Sequence, residues 1–285
     1  MPAEDFLVPP GEKIKLGDYD SADTGPYKKK EEAQAKLEKD VEKLAKLQDV
    51  LYACHQHAVL VVLQGMDTAG KDSIIKHVMS GVNPQGVSVQ SFKQPSEEEL
   101  KHDFLWRAVK PLPGWGYIGI YNRSYYEEVL VTRVHAEILR NEGVQGAEDK
   151  KFWEGRYQSI NDFEKHLVRN RTIVLKFFLN VSRDEQKKRL LERIEDPVKN
   201  WKFSAADIHE RAFWKHYRAA FQNMFRETSS AWAPWYVIPA DHKWFSRVAV
   251  ADIIVKKLES LKLLYPALAP EEKAGLAKAK KSLQA

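Results

Sequence analysis

The apolar positions of this chain keep two alternating rhythms. Short unbroken runs such as Ala58-Val59-Leu60-Val61-Val62-Leu63 carry no polar interruption, the pattern of strands buried on both faces. Strands are predicted over 58–64, 87–92, 117–122, 172–179 and 235–238. Between them apolar residues recur every three or four positions, which predicts helices over 70–80, 96–109, 124–141, 154–169, 183–195, 205–228 and 246–262. A longer amphipathic helix from Lys28 to about Cys54 precedes the first strand, with Leu37, Val41, Leu44, Leu47, Leu51 and Cys54 on one face. Strands alternating with helices imply an α/β fold whose mostly parallel sheet is covered on both faces. Ligands of such sheets bind at the carboxyl ends of the strands.

The ends of the chain read differently. Residues 1–27, with Pro9, Pro10, Gly11, Gly25 and Pro26, predict an extended arm, and 266–285 an Ala- and Lys-rich basic tail. Residues 28–265 form one domain, within which 183–218 carries a helical lid. The 285 residues are 44% hydrophobic and 30% charged, the balance of a soluble globular protein. No apolar run approaches the roughly 20 residues that span a bilayer, and the N-terminus lacks the basic and apolar regions of a signal peptide. The single cysteine, Cys54, excludes an internal disulfide and suits a reducing cytoplasm. A net charge of +5 is too small to identify a polyanionic partner, so the placement of the cations matters more.

The densest chemistry follows the first strand: Gly65-Met66-Asp67-Thr68-Ala69-Gly70-Lys71-Asp72. A buried strand, a glycine-rich turn and a helix start make a phosphate-binding loop, with Gly65, Thr68, Ala69, Gly70 and Asp72 as its contact residues. Gly65 and Gly70 permit backbone angles that let successive N–H groups converge on one anion. Lys71 adds an ammonium that can follow a migrating phosphoryl group. Such loops usually continue with Ser or Thr, whose hydroxyl binds magnesium; Asp72 stands there instead, so metal ligation must be arranged differently.

Two further segments end on the same edge. Lys93 closes the second strand, before Pro95 and a capping box at Ser96 and Glu99. The third strand ends in Asn122-Arg123, where many phosphate-loop proteins carry an aspartate for magnesium. Asn122 offers only a neutral oxygen, which makes Asp67 the better anionic ligand. Arg123 can clamp phosphate oxygens through two parallel hydrogen bonds, and Glu128 is placed to hold that arginine. In the lid, Ser182 and Glu185 have capping-box spacing, and Arg189 and Arg193 share a helical face. Lys199, Trp201, Lys202 and Phe203 fill the turn, and Arg211, Lys215 and Arg218 line the returning helix. Two cationic stripes beyond the fourth strand suit a mobile lid that closes over phosphates and excludes water.

Together these segments resemble the family 2 polyphosphate kinases. The matching pieces are GMDTAGKD at 65–72, FKQPSEEE at 92–99, HDFLWR at 102–107, YNRSYYEEVLVTRVH at 121–135, EQKKRL at 185–190, DPVKNWKF at 196–203 and APWYVIPADHKWF at 233–245. Asn122 and the continuation after Arg123 look most like the subgroup that phosphorylates both AMP and ADP. The resemblance implies a thymidylate-kinase-like P-loop fold, in three layers, with a five-stranded parallel sheet and a helical lid. It implies reversible transfer of the terminal phosphoryl group of inorganic polyphosphate to AMP or ADP, giving ADP or ATP, with magnesium or alternatively manganese. Asp67, Lys71 and Arg123 are then the catalytic residues, Asp67 and Asn122 the metal site, and Arg189 and Arg193 the lid cations. A cytoplasmic homo-oligomer, dimer or tetramer, is expected, with neither nucleic acid nor membrane as partner.

Two other readings compete. An ATP-dependent nucleoside-monophosphate kinase would keep the fold and Lys71 but favour a hydroxyl at position 72. A phosphate-loop protein binding nucleic acid through its basic lid would use tryptophans such as Trp106, Trp115, Trp153, Trp201 and Trp214, though no nucleic-acid fold is recognisable.

Overall fold

The structure is a computed structural model that describes residues 3–147 and 149–284. Over its described residues, 3–27, the expected N-terminal arm lies against the domain. Single 3-10 turns at Ala3–Phe6 and Leu16–Asp18 punctuate it. Phe6, Val8 and Leu16 are buried in the main apolar clusters, and Leu7 pairs with Tyr236 in an antiparallel bridge.

The regular elements follow in order: α1 (Lys30–Cys54), β1 (Ala58–Gln64), α2 (Lys71–Val78), β2 (Val87–Ser91), α3 (Trp106–Val109), β3 (Ile118–Asn122), α4 (Glu127–Val134), α5 (Ala136–Asn141), α6 (Lys150–Arg169), β4 (Thr172–Asn180), α7 (Arg183–Glu195), α8 (Ala205–Ala212), α9 (Trp214–Thr228), β5 (Trp235–Pro239), α10 (Lys243–Ser260) and α11 (Pro270–Gln284). The five strands form one parallel sheet in the order β2-β3-β1-β4-β5. β1 is central and buried along its whole length, which explains its unbroken apolar run. Its register sets Leu63 beside Asn122 and Gln64 beside Phe178, so the loops leaving β1, β3 and β4 emerge together. One apolar cluster gathers α1, α2 and α10 on one face of the sheet, and a second gathers α4, α6 and α9 on the other.

Three of the expected helices are interrupted, each for a local reason. The segment 96–109 is a 3-10 turn at Glu99–Lys101 and the short α3. Ser96 and Glu99 do form the reciprocal capping box, but Asp103 then accepts from the Leu105 amide at 3.0 Å and turns the chain. The segment 124–141 breaks at His135, and 205–228 breaks at Phe213. These two breaks meet: the rings pack edge to face with centroids 4.8 Å apart. Periodicity continues through both positions, so only the tertiary contact reveals them. The basic tail contains the exposed helix α11.

Candidate active site

A cavity of about 380 Å³ opens where β1 and β3 end. It is lined by Asp67, Thr68, Gly70, Lys71, Asp72, Ser73, Asn122, Arg123, Arg189, Glu192, Arg193, Lys199, Lys202 and Lys243. Seven of these side chains are cationic and three are carboxylates. The lining therefore carries an excess of positive charge, which draws anions to the cavity.

The loop between β1 and α2 is shaped by its glycines. Gly65 has φ +152°, and a Cβ there would lie 3.0 Å from the Leu179 carbonyl. Gly70, at φ +113°, caps α2 and opens that helix N-terminus toward the cavity. Thr68 also has a positive φ, +65°, and Ala69 is buried beneath the loop. The Thr68 hydroxyl is buried and has no hydrogen-bond partner among the described residues. Lys71 folds back, donating to the Gly65 carbonyl at 2.7 Å and the Met66 carbonyl at 3.3 Å. Burial and then the nearby Arg123 charge push its ammonium down to about 8.

Arg123 leaves β3 in the left-handed region, φ +63°, while its amide donates to the Leu63 carbonyl at 3.0 Å. Its guanidinium is paired with Asp67 from the loop and with Glu127 at 3.3 Å. Glu127 above all holds this arginine well above its ordinary range. The partner expected in Glu128 is therefore its neighbour. Glu128 turns away to Arg156, 2.9 Å distant, and burial raises its carboxyl to about 7. Adjacent positions of a helix start point about 100° apart, so the two glutamates reach different arginines. Asn122 donates its amide to Asp72 at 2.9 Å, leaving its carbonyl oxygen free of that bond. Lys93 is exposed and lies outside the cavity lining; its carbonyl accepts from Arg107.

The lid segment is folded against the loop. Gln186 on α7 donates to the Asp67 carbonyl at 3.1 Å, and Lys202 lies 3.8 Å from Asp72. Arg189 and Arg193, four residues apart, have different fates. Arg189 is buried and donates to the carbonyls of Thr68, Ala69, Ala240 and Asp241 at 2.7–3.2 Å, with Glu185 as its counter-charge. It is a bolt between α7, the phosphate loop and the end of β5 rather than a mobile lid cation. Arg193 reaches the cavity and pairs with Asp207 of α8 at 3.0 Å. Sequence reasoning missed Glu127, Gln186 and Lys243, and it placed Lys199 and Lys202 only in the lid turn. The one signal available was that Glu127 stands four residues after Arg123.

A parallel five-stranded sheet whose central strand feeds a phosphate loop, roofed by a basic helical segment, defines a P-loop kinase. Residues 27–263 match the family described as Polyphosphate kinase 2 (PPK2). The chain belongs to this family. It is 49% identical over 280 residues to the ADP-polyphosphate phosphotransferase of Rhodopseudomonas palustris, covering 98% of this chain and 97% of that one. It is 43% identical over 262 residues to the AMP/ADP-polyphosphate phosphotransferase of Meiothermus ruber, covering 92% and 94%. Among solved structures, polyphosphate kinase 2 from Arthrobacter aurescens superposes with a TM-score of 0.88 at 40% identity, over 97% of this chain and 96% of that one.

Proposed function

We propose that this chain transfers the terminal phosphoryl group of inorganic polyphosphate to AMP and to ADP, reversibly and with magnesium. The carrying observation is the cavity in which seven cations face three carboxylates at the mouth of a phosphate loop. Both substrates are polyanions, and bringing them together is the main electrostatic obstacle. An acceptor phosphate is already ionised near neutral pH, so the reaction needs no strong general base. An acceptor oxygen forms a bond to the terminal phosphorus as the bridging P–O bond to the rest of the chain breaks. Polyphosphate is left one unit shorter, with the negative charge on its new end. Positioning and charge stabilisation then supply the catalysis.

The residues divide the work. The helix N-terminus at Gly70 and Lys71 receives the transferring group, Lys71 exchanging its two carbonyl contacts for phosphate oxygens. A phosphate oxygen would also satisfy the orphaned Thr68 hydroxyl. Arg123, held by Asp67 and Glu127, presents a planar fork to charge that develops in flight. Among the described residues no group of three or more His, Cys, Asp or Glu forms a metal cage. That suits magnesium, which keeps waters and phosphate oxygens and takes one or two protein carboxylates. Asp67 would hold it with the Asn122 carbonyl nearby, and the ion would neutralise phosphate charge.

Relatives named for ADP alone and for AMP with ADP both align over nearly the whole chain, and both acceptors belong to the proposal. A homo-oligomeric state and a cytoplasmic location belong to it as well. Among the described residues no helix is long and apolar enough to cross a membrane. The test supplies AMP or ADP with magnesium and either polyphosphate or ATP as sole donor. ADP and ATP should form from polyphosphate. Transfer from ATP alone would instead make this a nucleoside-monophosphate kinase.

A further inference from the structure

Behind the cavity lies a second charged group with no access to solvent. Lys176 of β4 and Glu164 of α6 are both 0% exposed and paired at 2.6 Å. The other Glu164 oxygen accepts from the hydroxyls of Tyr125, at 2.8 Å, and Tyr126, at 2.7 Å. Lys176 also donates to the Tyr126 hydroxyl at 2.9 Å and to the Thr228 carbonyl, at the end of α9, at 2.8 Å. Each of these groups is satisfied, which is the condition for an interior ion pair to persist.

The position of the two tyrosines gives this network its meaning. They follow Arg123 and Ser124 directly and end the turn between β3 and α4. Ser124 accepts from Gln64, the last residue of β1, at 3.1 Å and from the Tyr126 amide at 3.2 Å. The turn is thus tied at one end to the phosphate loop's own strand and at the other to the Glu164–Lys176 pair. Between these ties Arg123 keeps a left-handed backbone, φ +63°, that a non-glycine residue holds only where its surroundings impose it. An apolar core would bury the tyrosine rings equally well but would not fix their hydroxyl ends.

We propose that the buried Glu164–Lys176 pair is a positioning device for Arg123, acting through the hydroxyls of Tyr125 and Tyr126. The proposal rests on the phosphotransfer reading above for Arg123's role but not for its geometry. Glu164 takes the tyrosine hydroxyls and Lys176 locks Glu164, so the turn cannot relax toward a right-handed conformation that would swing the guanidinium off the reacting phosphate. The same lysine holds the end of α9, the helix that returns from the lid, in register with the turn.

The test is the Tyr125→Phe, Tyr126→Phe double variant, which keeps Glu164 and Lys176 paired but takes both hydroxyl donors from one Glu164 oxygen. The two single variants, each leaving one donor, are therefore measured beside it. A 1 Å misplacement at a reacting centre is costly, so kcat should fall about tenfold while both Michaelis constants stay within about twofold. Independently of any reaction, the Arg123 guanidinium Nη protons, which Asp67 and Glu127 hold, should exchange with solvent about tenfold faster. Their signals are assigned in ¹⁵N-arginine-labelled protein by their loss in Arg123→Ala. Circular dichroism checks folding; if the double variant does not fold, the two single variants are read for the same outcomes. An unchanged kcat, or an unchanged Arg123 exchange rate, would overturn the proposal and leave the pair a purely structural feature. A wild-type protein that transfers nothing from polyphosphate would sink the proposed function, while the exchange experiment would still decide the positioning.

Discussion

The two walls of the cavity hold their cations in opposite ways. On the loop wall every cation already has partners: Lys71 on two carbonyls, Arg123 on two carboxylates, Arg189 on four carbonyls and Glu185. On the lid wall Lys199 and Lys202 each meet one carboxylate, Asp196 at 3.0 Å and Asp72 at 3.8 Å, but both are exposed, on a turn whose apolar side chains Val198 and Trp201 are 79% and 77% exposed. A transferring phosphoryl group has one size and one place, and donors held close to that place stabilise it with little reorganisation, Lys71 alone exchanging its carbonyl contacts. A polyphosphate chain has no fixed length, and loosely held cations can gather along however much of it is present. The difference separates a site that must be rigid from a track that must not be.

The sharpest way to break this contrast is at the loop. Lys71→Ala should fold normally and lose about a thousandfold or more in kcat, since it removes charge from the place where charge develops. Near-normal turnover in single-turnover assays would mean the loop wall does not hold the reacting group. Asp67→Asn should follow, with kcat down about a hundredfold and half-saturation by magnesium moved to higher concentration. An unshifted magnesium titration would place the ion on another ligand.

The pair Arg189 and Arg193 divides the walls within one helix. Arg189→Gln should destabilise the fold by about 3 kcal/mol, because four carbonyls, two of them fully buried, lose a charged donor. Arg193→Gln should cost about 1 kcal/mol or less and act mainly on the Michaelis constant for polyphosphate. Urea unfolding and donor titration of the two single variants compare them directly, and equal stability losses would dissolve the distinction.

Lys71 also makes the loop wall sensitive to pH. Its ammonium, the form that binds phosphate, is depressed to about 8, so charge is present below that value and lost as pH rises through it. The apparent second-order rate constant for polyphosphate should decline above about pH 8 in the wild type and be flat there in Lys71→Ala. The smallest effect belongs to the lid: Lys199→Gln with Lys202→Gln should flatten the salt dependence of polyphosphate affinity, by about one unit of logarithmic slope per lost phosphate contact. The Michaelis constant for ADP should barely move, and an equal rise in both constants would place the nucleotide on the lid.

What was legible in the chain beforehand was whatever local chemistry determines. A glycine-spaced turn after an unbroken apolar run makes a phosphate loop wherever it occurs, because Gly65 and Gly70 set the backbone and Lys71 comes with them. The central strand β1 was legible for a similar reason: a strand buried on both faces demands a continuous apolar run, whereas the edge strand β2 is largely exposed and carries none. Questions of facing were settled by the tertiary structure. Arg189 and Arg193 are equivalent on a helical wheel, yet only one meets the carbonyls of another loop. Glu127 and Glu128 are neighbours of one type, and only the packed structure shows that the first holds Arg123 while the second meets Arg156 of α6. The breaks at His135 and Phe213 exist because two rings from distant segments meet. Local propensity is additive along the chain and can be read from it, whereas a partner supplied from a hundred residues away exists only once the sheet has brought both segments to one edge.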